Sequence, residues 1–332
     1  MDGGSQRYIF APFVQSDALW QLLRDAPNRR GMLVTRWNPE DLLSGVSDIE
    51  VYDTCLRLGM SMLLHRKLHM KVYSWDLETA VIGSANVTAP GLGINEEANV
   101  EFMTGPSQLS AQEQLYLRQT ISEALLVTPG VYKSAAEWLD GHPSHPRLTA
   151  SEQEATWLSA SPSKSMLVSA LPMSESPRAL KEGLAALRAG RFEGLPGNLR
   201  ACVLHDLINF DLTRVPDGEF DRELRKRFFS HPFVLRVLER ITPCAFFGEM
   251  KEWIQKSCQD VPIPSRRDLT GNVQVLLAWL VDLGEGRFVI DVPGAHSQRI
   301  CRQGSVATGG IGPKKDSVPQ RHEITRGALG GG

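Results

Sequence analysis

Residues 69–86 decide how this chain is interpreted, and they read HMKVYSWDLETAVIGSAN. Four residues separate Lys71 from Asp76 and six separate Asp76 from Gly83, with His69 at the start of the stretch. Alternate side chains of a β-strand share a face, so His69 and Lys71 are expected to point in the same direction. The stretch therefore predicts a strand that carries an imidazole beside an ammonium group.

The opposite face of this strand is apolar, and the strand that follows it ends in polar residues. Met70 and Val72 are expected to face the core, which leaves the His–Lys face for an anion. After the next apolar run, Gly83 lets backbone N–H groups approach a phosphate closely, while Ser84 and Asn86 supply a hydroxyl and a neutral amide. Together these residues predict a phosphate-binding site at one edge of a sheet.

Strand-like and helix-like segments alternate on both sides of this stretch, over roughly the first hundred residues. Pro39 closes the second strand, because a proline disfavours helix in the residue before it. The alternation favours an α/β domain with a mostly parallel sheet and helical cover. Strands are predicted at 8–14, 32–37, 61–65, 68–74 and 79–84, and helices at 17–25 and 49–58.

Two further helices are predicted at 108–127 and 131–139, with Ser110 as a candidate N-cap. Serine and proline are concentrated between residues 159 and 177, which indicates a boundary between domains. The chain is accordingly divided into a catalytic domain (1–150), a helical connector (151–219), a helical, winged-helix-like domain (220–302) and a tail that is expected to be disordered (303–332).

The block 220–302 resembles a winged helix in its pattern of helix, turn, helix and hairpin. Four basic residues of the block are candidate contacts to DNA phosphates: Arg225, Lys226, Arg266 and Arg267. Two alternatives stay open. Basic residues at helical spacing are often a solvated surface, and the apolar side chains of the last helix would suit a core or a dimer interface.

Composition excludes several classes of protein. The 332 residues carry 36 Lys and Arg against 38 Asp and Glu, and the net charge of −2 excludes a histone-like polycation. A membrane span and a secretory signal peptide are not expected, because no long apolar run and no basic-then-apolar leader occur. The five cysteines are scattered and form no C-x-x-C pair, which argues against a disulfide framework or structural zinc and favours a cytoplasmic location.

The stretch 69–86 matches HxK(x)4D(x)6GSxN at every fixed position and gap, and on this basis the chain resembles the phospholipase D superfamily. The segments IFAPFV (9–14) and GLGINEEANVEF (91–102) also look like that family, so the resemblance covers roughly residues 8–103. It implies an α/β fold with a mixed sheet flanked by helices. It also implies metal-independent cleavage of phosphodiesters through a covalent phosphohistidine.

The resemblance assigns a role to each side chain of the motif. His69 is the nucleophile, while Lys71 and Asn86 bind the nonbridging oxygens as charge develops on them. Ser84 supports the same oxygens. Asp76 has a largely structural role in relatives, so it is not expected to act as an acid.

A carboxylate and a second histidine complete the chemistry that the resemblance implies. Glu97 lies where relatives often carry a carboxylate that bonds the nucleophile's other ring nitrogen; the alternative is a solvated acid beside Glu96. No cofactor is implied, and a zinc site at His65 and His69 is a weak alternative because no third ligand is evident. Only one complete HxK(x)4D(x)6GSxN motif occurs, so we predict a C2 homodimer in which two copies of His69 share one composite site.

The sequence therefore predicts a DNA endonuclease of bacterial defence, of the restriction type, whose N-terminal domain cuts DNA and whose C-terminal domain selects it. A more specific hypothesis is the phospholipase D-like component of a DNA-modification locus. Expected partners are DNA, a second copy and other proteins of such a system, with no membrane. The alternatives are a phospholipid phosphodiesterase and a non-catalytic nucleic-acid-binding protein that retains the fold.

Overall fold

The computed structural model describes residues 6–142, 166–293 and 298–303. Within residues 6–142, seven strands form one sheet in the order β6-β5-β4-β1-β2-β3-β7. The strands are β1 Arg7–Phe10, β2 Gly31–Thr35, β3 Met60–Leu64, β4 Val72–Ser74, β5 Thr79–Ile82, β6 Ser107–Gln108 and β7 Leu125–Leu126.

The sheet is mixed. β2 pairs in parallel with β1 and with β3, whereas the pairs β1–β4, β4–β5, β5–β6 and β3–β7 are antiparallel. The expected α/β fold with a mixed sheet flanked by helices is confirmed, but the prediction of a mostly parallel sheet is wrong. Residues 65–71 join β3 to β4 and residues 75–78 join β4 to β5, and these connections are too short for a parallel crossover of about a dozen residues.

Helices cover both faces of this sheet. On one face, Leu117 of α4 packs in a buried apolar cluster with Phe10 and Val72. On the other face, α1, α3 and α5 contribute to a second cluster around Trp37. The helices are α1 Ser16–Leu23, α2 Pro39–Leu43, α3 Val51–Leu58, α4 Ala111–Glu123 and α5 Pro129–Asp140.

Residues at the first turn explain where two of these helices begin. Ser110 is the N-cap of α4: its hydroxyl accepts from the Glu113 N–H at 3.3 Å, and the Glu113 carboxylate accepts from the Ser110 N–H at 2.7 Å. The predicted cap is confirmed. α2 was not predicted, because Pro39 reads as a terminator in sequence; in the structure it opens a helix, at a position where its missing N–H costs nothing.

The described residues from 166 onward are mainly helical, as expected, and carry a second sheet of three antiparallel strands in the order β8-β10-β9. Short 3₁₀ turns occur at Val168–Ala170, Phe192–Gly194 and Asp217–Glu219. The regular elements are α6 Pro177–Arg188, α7 Gly197–Asn209, α8 Phe220–Ser230, α9 Pro232–Arg240, β8 Cys244–Phe246, α10 Phe247–Ser257, α11 Asp268–Leu283, β9 Phe288–Asp291 and β10 Arg299–Arg302.

One buried apolar cluster runs through this half of the chain. Leu180 of α6, Phe228 of α8 and Trp279 of α11 belong to it, so helices assigned to the connector and to the 220–302 block share a core. The Ser/Pro-rich boundary up to residue 165 and the predicted tail from 304 onward lie outside the described residues. None of the described helices is long and apolar enough to cross a membrane.

A disulfide joins Cys244 of β8 to Cys301 of β10, which lie directly opposite each other in the antiparallel register. The expectation of no disulfide is wrong for this pair, because the two cysteines are 57 positions apart and β8 was not predicted. Disulfides persist mainly in oxidising environments, so the cysteines do not support a reducing compartment. A cytoplasmic location therefore remains a prediction without structural support.

Candidate active site

The motif residues meet at one edge of the larger sheet. His69 and Lys71 lie just before β4, and Ser84 and Asn86 follow β5. Because β4 and β5 are antiparallel neighbours, the start of one and the end of the other lie at the same edge. The structure therefore brings together the four residues that the sequence selected for phosphate chemistry.

The predicted alternation of faces holds, although β4 begins only at Val72 and the strand is shorter than expected. His69 is exposed and Lys71 is half-buried. Met70 and Val72 pack in the apolar cluster beneath α4. The imidazole and the ammonium group consequently face away from that core.

Gly83 is required here by a neighbouring segment of the chain. Its N–H donates to the Lys71 carbonyl at 3.2 Å, and it forms a bridge with Met103. A Cβ at Gly83 would lie 2.3 Å from the Phe102 carbonyl oxygen and 2.3 Å from Met103 Sδ. Gly83 was expected to make room for a phosphate. In the structure, residues 102–103 occupy that space instead.

This neighbouring segment brings a carboxylate to the motif. The Ser84 hydroxyl donates to Glu101 Oε2 and accepts from the Phe102 N–H at 3.0 Å. The side-chain amide of Asn99 donates to Glu101 Oε1 at 3.1 Å. The side chains of Ser84 and Asn99 thus hold the Glu101 carboxylate beside the motif.

Glu101, and not Glu97, is the acid that the structure brings to the site. Glu97 lies in the exposed run 93–100, and within the described chain it makes no hydrogen bond to the motif. The sequence carries no spacing rule that separates these two acids. Residues 101–104 pair with the end of β5, and this pairing is what places Glu101, and not Glu97, beside the motif.

Two charged neighbours, Arg36 and Glu101, act in opposite directions on the pKa of Lys71. Its Nζ donates to the His69 carbonyl at 3.0 Å. Partial burial lowers the pKa of Lys71, the positive charge of Arg36 lowers it further, and the Glu101 carboxylate opposes both effects. Arg36 and Glu101 are therefore within electrostatic reach of the ammonium group, and sequence reasoning named neither of them.

Tyr73 and Asn86 also lie at the sheet edge that carries the motif. The Tyr73 hydroxyl donates to the Ala85 carbonyl at 2.8 Å, and burial, aided by Glu101, raises the pKa of this phenol, which keeps it a neutral donor. The contact fixes the backbone between Ser84 and Asn86. The Asn86 Oδ1 atom is buried and has no hydrogen-bond partner among the described residues, an arrangement that costs about 1–3 kcal/mol.

Asp76 lies at the other end of β4, in the turn to β5. Its Oδ1 atom accepts from the N–H groups of Glu78 at 2.8 Å and of Thr79 at 2.7 Å, so it caps the turn. This placement agrees with the structural role expected for it. The same turn is tied to α7, because Arg200 Nη2 donates to Glu78 Oε2 at 2.6 Å.

His65 and His69 flank a turn at residues 66–67 and do not share a helix face. His65 Nε2 lies 3.6 Å from Glu123 Oε2. Among the described residues, no group of three or more His, Cys, Asp or Glu side chains could hold a metal ion.

The basic residues proposed for DNA contact fall into two groups. Arg225 pairs with Glu285, so an acid of the same chain neutralises it. Lys226 on α8 is exposed, as are Arg266 and Arg267 directly before α11. α11 itself is largely core, with Leu276 among its fully buried residues, which is one of the alternatives that the sequence left open.

Comparison of the chain with protein-family models, curated proteins and solved structures finds no match. The resemblance to the phospholipase D superfamily therefore rests on the motif and its spacing.

Proposed function

We propose that this protein is a metal-independent phosphodiesterase of the phospholipase D type, which cuts DNA through a phosphohistidine formed on His69. The convergence of His69, Lys71, Ser84 and Asn86 at one sheet edge carries the proposal. A neutral imidazole is available as a nucleophile near physiological pH without a metal. Cations and amides beside it can stabilise the charge that develops on a phosphoryl group.

The reaction proceeds in two steps. A ring nitrogen of His69 attacks phosphorus, the bond from phosphorus to the leaving oxygen breaks, and a second imidazolium gives its proton to that oxygen. The second imidazole then takes a proton from water, whose oxygen attacks phosphorus and breaks the P–N bond. Lys71 and the side-chain amide of Asn86 bind the nonbridging oxygens in both steps, and Ser84, whose hydroxyl donates to Glu101, holds that carboxylate beside them.

We assign the supporting carboxylate of this mechanism to Glu101 in place of Glu97. Glu101 contacts the Ser84 hydroxyl, and its charge acts on Lys71. A carboxylate in that position can fix the tautomer of an imidazole and stabilise the imidazolium. Glu97 lacks comparable contacts in the described chain.

The second histidine comes from a second copy of the chain. Val100 is fully exposed and Phe102 is 79% exposed, and both flank Glu101. Exposed apolar side chains next to an incomplete site favour an interface there, and a two-fold axis would place both copies of His69 in one centre. The unpartnered Asn86 Oδ1 atom would then find a donor on the partner or the substrate.

The C-terminal half supports DNA as the substrate. From α9 to β10 the elements run helix, strand, helix, helix, strand, strand, and the small sheet has the order β8-β10-β9, an arrangement that favours the winged-helix interpretation. Arg266 and Arg267 would contact phosphates at the start of α11. A nuclease joined to a DNA-selecting domain fits a restriction-type endonuclease of bacterial defence, with other proteins of that system as partners.

The test is cleavage of plasmid and single-stranded DNA by purified protein in excess EDTA, with His69→Ala beside the wild type. Lys67→Ala is the matched control, since Lys67 is exposed in the same loop. Cleavage by the wild type and by Lys67→Ala, with none by His69→Ala, supports the proposal. Equal cleavage by His69→Ala, or complete loss in EDTA, would refute the mechanism, and cleavage of labelled phospholipid in place of DNA would identify the lipid alternative.

A further inference from the structure

Arg36 lies at the same sheet edge as the motif, although it is far from the motif in sequence. It directly follows β2, and Lys71 directly precedes β4. β1 lies between these two strands, so their ends are about 10 Å apart, a gap that the two long side chains can close. The Thr35 hydroxyl donates to the Pro12 carbonyl at 3.1 Å and fixes the end of β2 beside that of β1.

Phe13 connects Arg36 to the Ser84–Asn86 loop. The Arg36 guanidinium stands over the Phe13 ring, 4.8 Å from its centre. The Phe13 carbonyl accepts from the N–H of Val87, the residue after Asn86, at 3.2 Å. A continuous set of contacts therefore leads from Arg36 through Phe13 to the proposed phosphate-binding loop.

Asp41 fixes the orientation of the guanidinium. Arg36 Nε donates to Asp41 Oδ2 at 2.7 Å, and Nη2 donates to Oδ1 at 3.1 Å. Within the described chain, these bonds leave Nη1 available to a ligand. The side chain of Arg36 is 20% exposed and that of Asp41 only 9%, so part of the arginine side chain remains accessible to solvent.

The two cations of this edge repel each other. The positive charge of Arg36 is one of the causes that lower the pKa of Lys71. An anion bound to both groups would relieve this repulsion, and the bonds of Arg36 to Asp41 occupy Nε and Nη2 but leave Nη1 for such an anion. A substrate with consecutive phosphates satisfies both cations.

We propose that Arg36 binds the phosphate next to the scissile one, so that the site is selective for a polynucleotide over a diester with a single phosphate. This inference rests on the proposed function of the His69 site. Arg36 is then a specificity-determining residue, positioned by Phe13 and Asp41. A phospholipid with a single phosphate would gain nothing from it.

The simplest competing role for Arg36 is a structural ion pair with Asp41. Removing Arg36 alone would leave a buried carboxylate without a partner and could unfold the chain. The informative variant is therefore the double replacement Arg36→Gln with Asp41→Asn, which removes both charges and keeps polar side chains in contact. Arg36→Lys serves as the charge-preserving variant.

The experiment measures the binding of a thymidine dinucleotide, with one phosphate, and a trinucleotide, with two, in a His69→Ala background that prevents turnover. The double variant should bind the trinucleotide roughly tenfold more weakly and the dinucleotide unchanged, since a charge-assisted hydrogen bond is lost. Arg36→Lys should recover part of the difference.

Each outcome decides between the two proposals. Equal weakening of both ligands, or of neither, overturns the assignment of Arg36 and leaves the proposed phosphodiesterase standing. Failure of the His69→Ala parent to bind either ligand, together with no DNA cleavage by the wild type, refutes the proposed function and the role of Arg36 with it. Far-UV circular dichroism of each variant confirms that the comparison is made on folded protein.

Discussion

Replacing Gly83 with alanine should destabilise the protein and disable the candidate site together. The new methyl group would lie 2.3 Å from the Phe102 carbonyl oxygen and 2.8 Å from Met103 Cα, so the backbone of residues 102–103 must move. Crowding of this kind costs about 1–3 kcal/mol. If the segment moves away, the two hydrogen bonds of Ser84 to the Phe102 backbone are lost, at about 1 kcal/mol each.

Gly105→Ala provides the matched control. Nothing lies within 4 Å of a methyl group at Gly105, and both variants reduce the freedom of the unfolded chain in the same way. The difference between the two variants therefore isolates the clash at Gly83. We expect Gly83→Ala to be about 1–3 kcal/mol less stable than Gly105→Ala, whether the clash persists or the segment moves away.

The assay is urea unfolding followed by circular dichroism, with DNA cleavage in EDTA measured on the same preparations. Displacement of residues 102–103 also moves Glu101 away from Ser84, so Gly83→Ala should lose most of its cleavage activity under conditions where it is still folded. Stabilities within about 0.5 kcal/mol of each other, with equal cleavage, would refute the packing argument.

Three further predictions use other parts of the molecule. Glu101→Gln should move the alkaline limb of the pH–rate profile to lower pH, because this carboxylate raises the pKa of Lys71 and its loss lets the ammonium group deprotonate sooner; a shift to higher pH would contradict the assignment. Cys301→Ser should lower the free energy of unfolding by about 2–4 kcal/mol under oxidising conditions and by little in reductant, as urea melts would show. Arg267→Gln should reduce the salt slope of DNA binding by about one, whereas Arg225→Gln, whose charge Glu285 already neutralises, should leave the slope unchanged.

The sequence was most informative where chemistry and strand geometry coincide. The motif places His69 and Asn86 on neighbouring antiparallel segments, and strand alternation alone predicts which side chains face away from the core. The Ser110 cap of α4 could also be predicted, because serine followed by glutamate three residues later is a local signal for the start of a helix. Such features depend on contacts between residues that are close in sequence.

Features that depend on contacts between residues far apart in sequence could not be predicted. Glu101 contacts Ser84 because residues 101–104 pair with the end of β5. Arg36 lies near Lys71 because β2 and β4 both pair with β1, so the end of β2 is close to the start of β4. The disulfide needs β8 and β10 to be neighbours, and the short strand β8 carries too few residues to show a periodic pattern. Local propensity cannot select among such pairings.

Residues 69–101 are contiguous in sequence, so the contacts of the candidate site can form early during synthesis of the chain. The candidate site closes through the short β4–β5 turn, and short loops cost little conformational entropy and form quickly. The contact of Glu78 with Arg200, by contrast, joins residues 122 positions apart and must wait for the second half of the chain. A nascent chain on the ribosome would therefore bring the residues of the candidate site together before the helices from residue 166 onward exist.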